Sequence, residues 1–422
     1  MSPDNVHSRV DSLYKQSFGS LLSTLLHRFP DLDLEEAEDI LQESFSTALI
    51  HWERDTIPQN PGGWLYKVSK NKAINLLKNK DRFTQEIPEE GLAAEADIDD
   101  SGIRDHTLEM LFACAHPSLA PKTRMVLTLK YVMNFKVEAI AKAFAMTIDG
   151  VDKILVRGRT AIRTNNIRLT LAGSRTDAQG RGAPTVRRVA DRLPVIHKII
   201  YLIFNEGYKA SYGPELIREE LCEEALLLCK ELLAAGIGDP DSKALYALLL
   251  FNSARLRSRF DPNGKLLDLE NQDRSLWNRD LIELGSYHLS ESRTEPATAF
   301  HIEASIACLH CLAPDFESID WPLIAQLYAR LLSISQNPFL ELNYAVALFY
   351  AGDREQAFLL TNQLLGHPFF NQYYLLNATL GKFYWLDGDR ALAREYFIKA
   401  IGQTHFEIEK EFIQGLLNRT VS

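Results

Sequence analysis

The stretch VEAIAKAFAMTIDGVDKILVRGRTAIR, Val137–Arg163, indicates the fold class of the front of this chain. Its apolar residues recur at helical spacing in two runs, which are separated by a turn at Ala145–Thr147. Thr147 is a residue type that caps a following helix, and Gly158 on the apolar face lets two helices approach closely. The pattern predicts two helices joined by a short turn.

The second of these predicted helices has a basic face opposite its apolar stripe. That face carries Lys153 and Arg157, with Arg159 nearby. The second helix of a helix-turn-helix enters the major groove, where Arg and Lys contact phosphates or guanine edges. We therefore predict DNA binding by these three residues; the alternative is two packed helices with a solvated basic face.

Charge along the front of the chain alternates in sign. Gly62–Arg82 carries six Lys and Arg against one Asp, a net +5, and Ser118–Thr170 carries ten against three acidic residues, a net +7. Phe83–Glu109 between them carries nine acidic residues against one Arg, a net −8, and the whole chain is −10. Two basic regions on an acidic protein predict two docking points on a polyanion, with nucleic acid favoured.

The first basic region also contains an aromatic residue, Trp64, that is a candidate for stacking against a nucleic-acid base. Trp64 follows a Gly-Gly loop and precedes Lys67, Lys70, Asn71 and Lys78 on a predicted helix. Base stacking on an aromatic ring, combined with phosphate attraction, suits single-stranded or melted nucleic acid. The alternative is a core tryptophan beside a solvated lysine face.

Another predicted helix precedes the one that carries Trp64. Asp33 and Glu36 form a predicted capping box at its start. Its apolar residues form one continuous stripe over Leu34–Leu49, and polar side chains share another face. Periodicity is helical nearly everywhere else, which predicts an all-α fold.

Composition favours a soluble chain in a reducing compartment. Of the 422 residues, 46% are hydrophobic and 24% charged, and the five cysteines are an odd number spread through helical patterns. Met1 leads into polar sequence, and no apolar run approaches the roughly 20 residues that span a bilayer. Cys308-Leu-His-Cys311 lacks a fourth zinc ligand. We expect a cytoplasmic location, no membrane contact, no cofactor and no metal.

The C-terminal part contains a weak repeat. Ala351–Ala357 (AGDREQA) recurs as Asp387–Ala393 (DGDRALA), 36 residues later (387 minus 351), with Gly352 and Gly388 expected just past a helix end. Helix pairs repeating near this period predict tetratricopeptide-like stacking. The array's polar residues, including a guessed pair Glu206 and Arg274, are expected to fix helix packing rather than form a catalytic site.

The first 170 residues resemble an extracytoplasmic-function (ECF) sigma factor, a promoter-recognition subunit of bacterial RNA polymerase. The segments that carry the resemblance are EDILQESF (Glu38–Phe45), PGGWLYKVSKNKAINLLK (Pro61–Lys78) and Val137–Arg163. The resemblance implies that the first docks on the polymerase clamp helices, through Asp39, Gln42 and Glu43. It implies that the third reads the −35 element.

The resemblance also implies roles for the second segment and the linker. The second segment and the loop before it capture the melted −10 element through Asn60, Trp64, Lys67, Lys70, Asn71 and Asn75, in addition to the DNA binding already predicted for Lys78. The helix at Thr123–Tyr131 meets the polymerase flap. The acidic linker threads towards the RNA exit channel. Ile154 stands where the group usually has arginine.

The rest is similar to one ECF group with a long tetratricopeptide-like extension, through YLIFNEGYKAS (Tyr201–Ser211) and LENQDRSLWNRDLI (Leu269–Ile282) among other stretches. The predicted organisation is sigma domain 2 at 1–82, an acidic linker at 83–105, sigma domain 4 with the helix-turn-helix at 106–170, a linker at 171–189 and the extension at 190–422.

Three hypotheses follow. The first is a sigma factor without an active site of its own, which binds core RNA polymerase and promoter DNA and is modulated in cis by its extension; that extension could hold a protein or small-molecule partner. The second is a helix-turn-helix regulator with a helical sensor domain, acting without polymerase. The third is a helical scaffold whose basic segments are incidental.

Overall fold

A computed structural model describes residues 3–54, 57–81, 108, 110–143, 146–165, 167, 192–210, 216–368, 370 and 373–420. Apart from one isolated bridge between Phe260 and Leu266, these described residues contain no β-strand, so the all-α prediction is confirmed. The α-helices are α1 (Pro3–Arg28), α2 (Leu34–Arg54), α3 (Pro61–Asp81), α4 (Pro121–Leu127), α5 (Val137–Ala143), α6 (Ile148–Thr164), α7 (Leu193–Tyr208), α8 (Glu219–Ala234), α9 (Pro240–Ala254), α10 (Arg279–Glu291), α11 (Ala299–Leu312), α12 (Trp321–Ile334), α13 (Pro338–Ala351), α14 (Arg354–Leu364), α15 (Leu375–Leu386), α16 (Arg390–Gln403) and α17 (Glu407–Arg419).

The chain divides into two compact units, residues 1–203 with 234–237 and residues 204–233 with 238–422. None of the helices within the described ranges combines the length and hydrophobicity needed to cross a lipid bilayer.

The first turn of α2 has the predicted capping box. The Asp33 carboxylate accepts the Glu36 N–H at 2.9 Å, and the Glu36 carboxylate accepts the Asp33 N–H at 3.1 Å. The apolar stripe of α2 is buried, with Ala37 and Ala48 at 0% exposure and Leu41 at 1%. The local chemistry therefore sets where α2 begins, and the stripe sets which side faces the core.

Helix α3 begins at Pro61, three residues before the predicted start at Trp64. The Asn60 side-chain oxygen accepts the Gly63 N–H at 2.8 Å, and the Asn60 carbonyl accepts the Trp64 N–H at 3.1 Å. Asn60 thus caps the helix, and Pro61 tolerates the first helical position because that residue needs no N–H donor. The Gly-Gly pair lies inside the first turn and not in a loop.

Helix α4 continues into a π-helical turn at Thr128–Val132, where the predicted helical pattern gave no break. Two residues past its end, Asn134 has a positive φ of 51°, and its side-chain amide donates to the Tyr14 carbonyl in α1 at 3.0 Å. Asparagine tolerates this left-handed conformation better than most residues. The turn therefore packs directly on α1.

Gly19 makes this close approach possible. A Cβ atom added at Gly19 would lie 2.2 Å from the Val132 carbonyl oxygen, which is far inside van der Waals contact. Only a residue without a side chain lets the backbone of α1 approach the π-helical turn so closely.

We expect Gly19→Ala to lower the free energy of unfolding of the first unit by about 2 kcal/mol, because the methyl group overpacks against backbone. The matched control is Gly415→Ala in α17, where an added Cβ meets nothing within 4 Å. That change should stabilise by about 0.5–1 kcal/mol, as alanine does inside a helix. Calorimetry measures the free energy of unfolding of both variants. A stabilising effect of Gly19→Ala would contradict the close approach of α1 to the π-helical turn.

The second unit shows the repeat that the sequence predicted. Gly352 and Gly388 have left-handed φ angles of 97° and 92°, just past the ends of α13 and α15. Asp353 and Asp389 follow as caps, whose carboxylates accept the Gln356 N–H at 3.2 Å and the Leu392 N–H at 3.0 Å. The two copies therefore form the same helix–turn–helix connection, and Arg354 joins them through Asp387 at 2.9 Å.

Candidate nucleic-acid interface

One face of α3 collects the residues that were predicted to capture melted DNA. Lys67, Asn71, Asn75 and Lys78 are all exposed, and their spacing of four, four and three residues aligns them along the helix. Lys67 and Lys78 make no hydrogen bond or ion pair with any residue that the structure describes. The row therefore offers two free cations and two amides to a ligand.

Trp64 stands at the start of this row and is half-buried. Its ring lies 5.3 Å from the ring of Trp52 and 5.9 Å from that of His51, centroid to centroid. The buried Trp52 thus packs against Trp64, and the partial exposure of Trp64 leaves both alternatives open, a core tryptophan and a stacking surface for a base. Lys70 is half-buried at the edge of the row, and Asn60 serves as the helix cap described above.

The other lysines of α3 face α2. Lys72 binds the Glu43 carboxylate at 2.9 Å, and Lys80 binds Glu36. These pairs separate the lysines that hold the two helices together from those left free for a ligand. Both pairs are partly exposed, so each contributes little stability.

The residues of α2 predicted to bind polymerase lie on its exposed surface. Asp39, Gln42 and Glu43 are all exposed. The Gln42 amide donates to Glu38 at 3.3 Å, whereas Asp39 makes no hydrogen bond or ion pair among the described residues. Of the two carboxylates among these three residues, Asp39 is therefore the unpaired one, since Glu43 is bound by Lys72.

Helix α6 begins as predicted, with the Thr147 hydroxyl accepting the Gly150 N–H at 3.1 Å. Val151, Leu155, Gly158 and Ile162 are buried on its inner side. Lys153 and Arg157 are exposed, and Lys153 pairs with Asp149 one turn earlier at 2.7 Å. Phe144 and Ala145, which were part of the predicted first helix and turn, lie outside the described residues.

Arg159 is held elsewhere. Its guanidinium donates to the Tyr131 hydroxyl at 3.1 Å and lies 3.7 Å from Glu35 and 3.9 Å from Glu38, both in α2. Lys130 reaches the same Glu38 carboxylate at 3.2 Å. Only 24% of the Arg159 side chain is exposed, so a contact with DNA would first have to break this network.

Sequence reasoning missed this network. Glu38 is 7% exposed and Tyr131 is 0% exposed, so α2 and the π-helical turn meet through buried polar groups. Burial and the neighbouring Glu38 carboxylate raise the pKa of Tyr131, which keeps its hydroxyl protonated. The available hint was that Glu38 lies one turn from both Leu34 and Leu41 on the apolar stripe of its helix, but the pattern did not indicate its partners.

The segment at Thr123–Tyr131, predicted to meet the polymerase flap, has little apolar surface to offer in this arrangement. Val126, Leu127 and Tyr131 are each 0% exposed, and Leu129 is 3% exposed. The acidic linker predicted at 83–105 and the linker at 171–189 lie outside the described residues.

The polar residues of the extension pair differently from the guess. Glu206 lies 3.5 Å from Arg218, and Arg274 donates to the carbonyls of His310 and Ala313, each at 2.8 Å. The guessed contact of Glu206 with Arg274 is therefore wrong, because the guanidinium instead satisfies carbonyls at the end of α11. A packing role for Arg274 agrees with the expectation for this group.

The five cysteines form no disulfide, and four of them are buried. Burial raises the pKa of Cys311 to about 11 and that of Cys114 to about 12, which keeps both as thiols at neutral pH.

We expect His310 to make the extension less stable in acid. Burial, followed by the charges of Arg255 and Arg274, lowers the pKa of His310 to about 3. Because this folded pKa lies below the ordinary value of about 6.5, the unfolded chain binds the proton first as pH falls. The associated stability is complete above about pH 6.5 and is lost progressively towards pH 3.

We expect His310→Phe to flatten the fall in melting temperature between pH 6.5 and 4, where the linkage amounts to at most about 3 kcal/mol. Phenylalanine keeps the ring against Trp321, whose centroid lies 5.4 Å away. His288, whose pKa is also lowered by burial, should leave a residual slope. Exposed His405 is the control, and an equal flattening by His405→Phe would contradict the assignment.

Part of this chain is similar to known proteins. A family model for sigma-70 region 2 matches residues 14–83, which include α2, α3 and the exposed row. Over 141 residues the chain is 26% identical to the ECF RNA polymerase sigma factor SigW of Bacillus subtilis (strain 168), covering 31% of this chain and 75% of that protein. Residues 14–83 of this chain are a sigma-70 region 2 domain. The match to SigW spans most of that protein but only 31% of this chain, so most of this chain lies outside it.

The chain also matches another protein over most of its length. It is 34% identical over 336 residues to an uncharacterized protein of Rhizobium meliloti (strain 1021), covering 78% of this chain and 76% of that protein, and the two belong to one family. Residues 192–293 match the model described as a family of unknown function (DUF6596). The extension thus contains a domain shared with other proteins.

Proposed function

We propose that this chain is a sigma factor that directs core RNA polymerase to specific promoters and is modulated in cis by its helical extension. The observation that carries the proposal is the exposed row Lys67, Asn71, Asn75 and Lys78 beside Trp64, within the region that matches sigma-70 region 2. Free cations beside an aromatic ring suit melted DNA, because phosphates and unstacked bases are presented together.

The other contacts follow from the same resemblance. Asp39, Gln42 and Glu43 bind the polymerase clamp helices, and α6 reads the −35 element as duplex through Lys153 and Arg157. Their exposure supports both roles. The chain has no active site of its own in this proposal, since catalysis belongs to the polymerase, and it acts in the cytoplasm.

A role for Arg159 in DNA binding would require a conformational change. While it is bound to Glu35, Glu38 and Tyr131, Arg159 stays with α2. Contact of Arg159 with promoter DNA therefore requires its guanidinium to leave these three partners, and a ligand achieves this only by binding the released form more tightly. The flap contact of Thr123–Tyr131 would also require a rearrangement, one that exposes its buried apolar side chains.

Association with polymerase distinguishes a sigma factor from the second candidate, a helix-turn-helix regulator. That candidate is favoured by the exposed basic face of α6 in the free chain. The full-length chain is titrated into a fluorescent promoter fragment with and without core polymerase. Sequence-specific binding only with polymerase supports the sigma factor; equally specific binding of the chain alone supports the regulator.

The role of the extension is tested by comparing the full chain with one that ends at Thr170. The repeated helical connections at Gly352 and Gly388 support a tetratricopeptide-like array, which is suited to binding another surface. Higher transcription from the shorter chain makes the extension an inhibitor, and lower transcription makes it a required part. Equal transcription and equal promoter choice contradict modulation in cis.

A further inference from the structure

The outward face of α6 contains one side chain that cannot hydrogen-bond. The exposed residues at spacing i, i+3, i+4 and i+7 are Lys153, Val156, Arg157 and Thr160, and Val156 is 52% exposed. Helices that lie in a major groove present base-reading residues at this same spacing. Val156 therefore occupies a base-facing position.

Helix geometry places Val156 within this face. At about 100° per residue, Lys153 and Thr160 lie opposite the buried stripe of Val151, Leu155, Gly158 and Ile162. Val156 lies about 50° to one side of that line and Arg157 about 50° to the other. Arg159 is farther round, beside α2, so Val156 and not Arg159 flanks the centre on that side.

The chemistry of the four positions differs. Lys153, Arg157 and Thr160 can each bind a phosphate or a base edge, so they tolerate several sequences. Val156 offers only two methyl groups, and the apolar group that DNA displays in the major groove is the thymine methyl. Isolated apolar residues on a protein surface are common, but here the position lies on the face that meets DNA.

We propose that Val156 is a specificity-determining residue, which selects thymine at one position of the upstream promoter element by contact with its 5-methyl group. The inference rests on the proposed function, because it assumes that α6 enters the major groove of that element. It assigns to Val156 a discrimination that the cationic residues beside it do not supply.

The test compares thymine with deoxyuridine, which lacks only the methyl group. A promoter is selected from a library by full-length chain with core polymerase, and each thymine of its duplex upstream element is replaced in turn. At one position we expect open-complex formation by the wild-type chain to fall about three- to fivefold, which corresponds to burial of one methyl group.

Val156→Ala provides the second arm of the cycle. This variant should be weaker than wild type on the thymine promoter by a similar factor, and should lose nothing further on deoxyuridine at that position. The control is Leu359→Ala, an exposed apolar residue of α14 at 51% exposure, which should keep the full wild-type loss.

The possible outcomes distinguish a failure of the role of Val156 from a failure of the proposed sigma function. A selected element without thymine, or thymine replacements that affect wild type and Val156→Ala equally, overturns the role of Val156 while the sigma function stands. Absence of transcription from every template overturns the proposed function and this inference with it.

Discussion

Replacing Lys67 and Lys78 together with glutamate should reduce promoter opening on the order of 100-fold. Both lysines are exposed on α3, and neither makes a hydrogen bond or ion pair among the described residues. The double change therefore replaces two attractions to phosphate by two repulsions without removing a contact that holds the fold. Opening is measured with a fluorescent base in the melted region, in the presence of core polymerase.

The salt dependence of the same assay checks the cause. Fewer phosphate contacts should make the logarithm of the opening constant fall less steeply with the logarithm of salt concentration. Lys230→Glu is the matched control, since Lys230 is exposed on α8 and unpaired within the described chain. Wild-type opening by the double variant, or an equal defect in Lys230→Glu, would show that the row on α3 does not bind DNA.

Asp39→Arg should weaken binding to core polymerase by at least about tenfold, because it reverses an unpaired charge on the exposed face of α2. Asp39 makes no hydrogen bond or ion pair among the described residues, so the fold should be unaffected. Binding is measured by titrating labelled chain with core polymerase in the absence of DNA.

Two controls accompany this variant. Glu411→Arg makes the same charge change at an exposed position of α17, and it should bind like wild type. The melting temperature of Asp39→Arg should match that of wild type. Unchanged polymerase affinity in Asp39→Arg would remove α2 from the proposed interface.

The features that sequence could predict are those set by neighbours along the chain. The Asp33 capping box, the Thr147 cap and the left-handed Gly352 and Gly388 each depend on residues within a turn of themselves. Helical periodicity likewise places Lys67 and Asn71 on one exposed face, because both spacing and polarity are local. These elements of the fold and of the site were therefore accessible from the pattern.

The features that could not be predicted from the sequence depend on contacts between residues far apart along the chain. Arg159 meets Glu38 across 121 positions (159 minus 38), and Gly19 meets the turn at Val132 across 113 positions (132 minus 19). An arginine on a basic helix is equally suited to phosphate and to carboxylate, and only tertiary packing selects between them. The π-helical turn was hidden for the same reason, since its residues continue an ordinary helical pattern.

The most direct test of the account is run-off transcription by purified core RNA polymerase with the full-length chain, on a library of promoter sequences. We predict transcripts that start at defined positions, share upstream sequence elements and require the chain. Absence of chain-dependent transcripts, together with absence of binding to core polymerase, would contradict the assignment of this protein as a sigma factor.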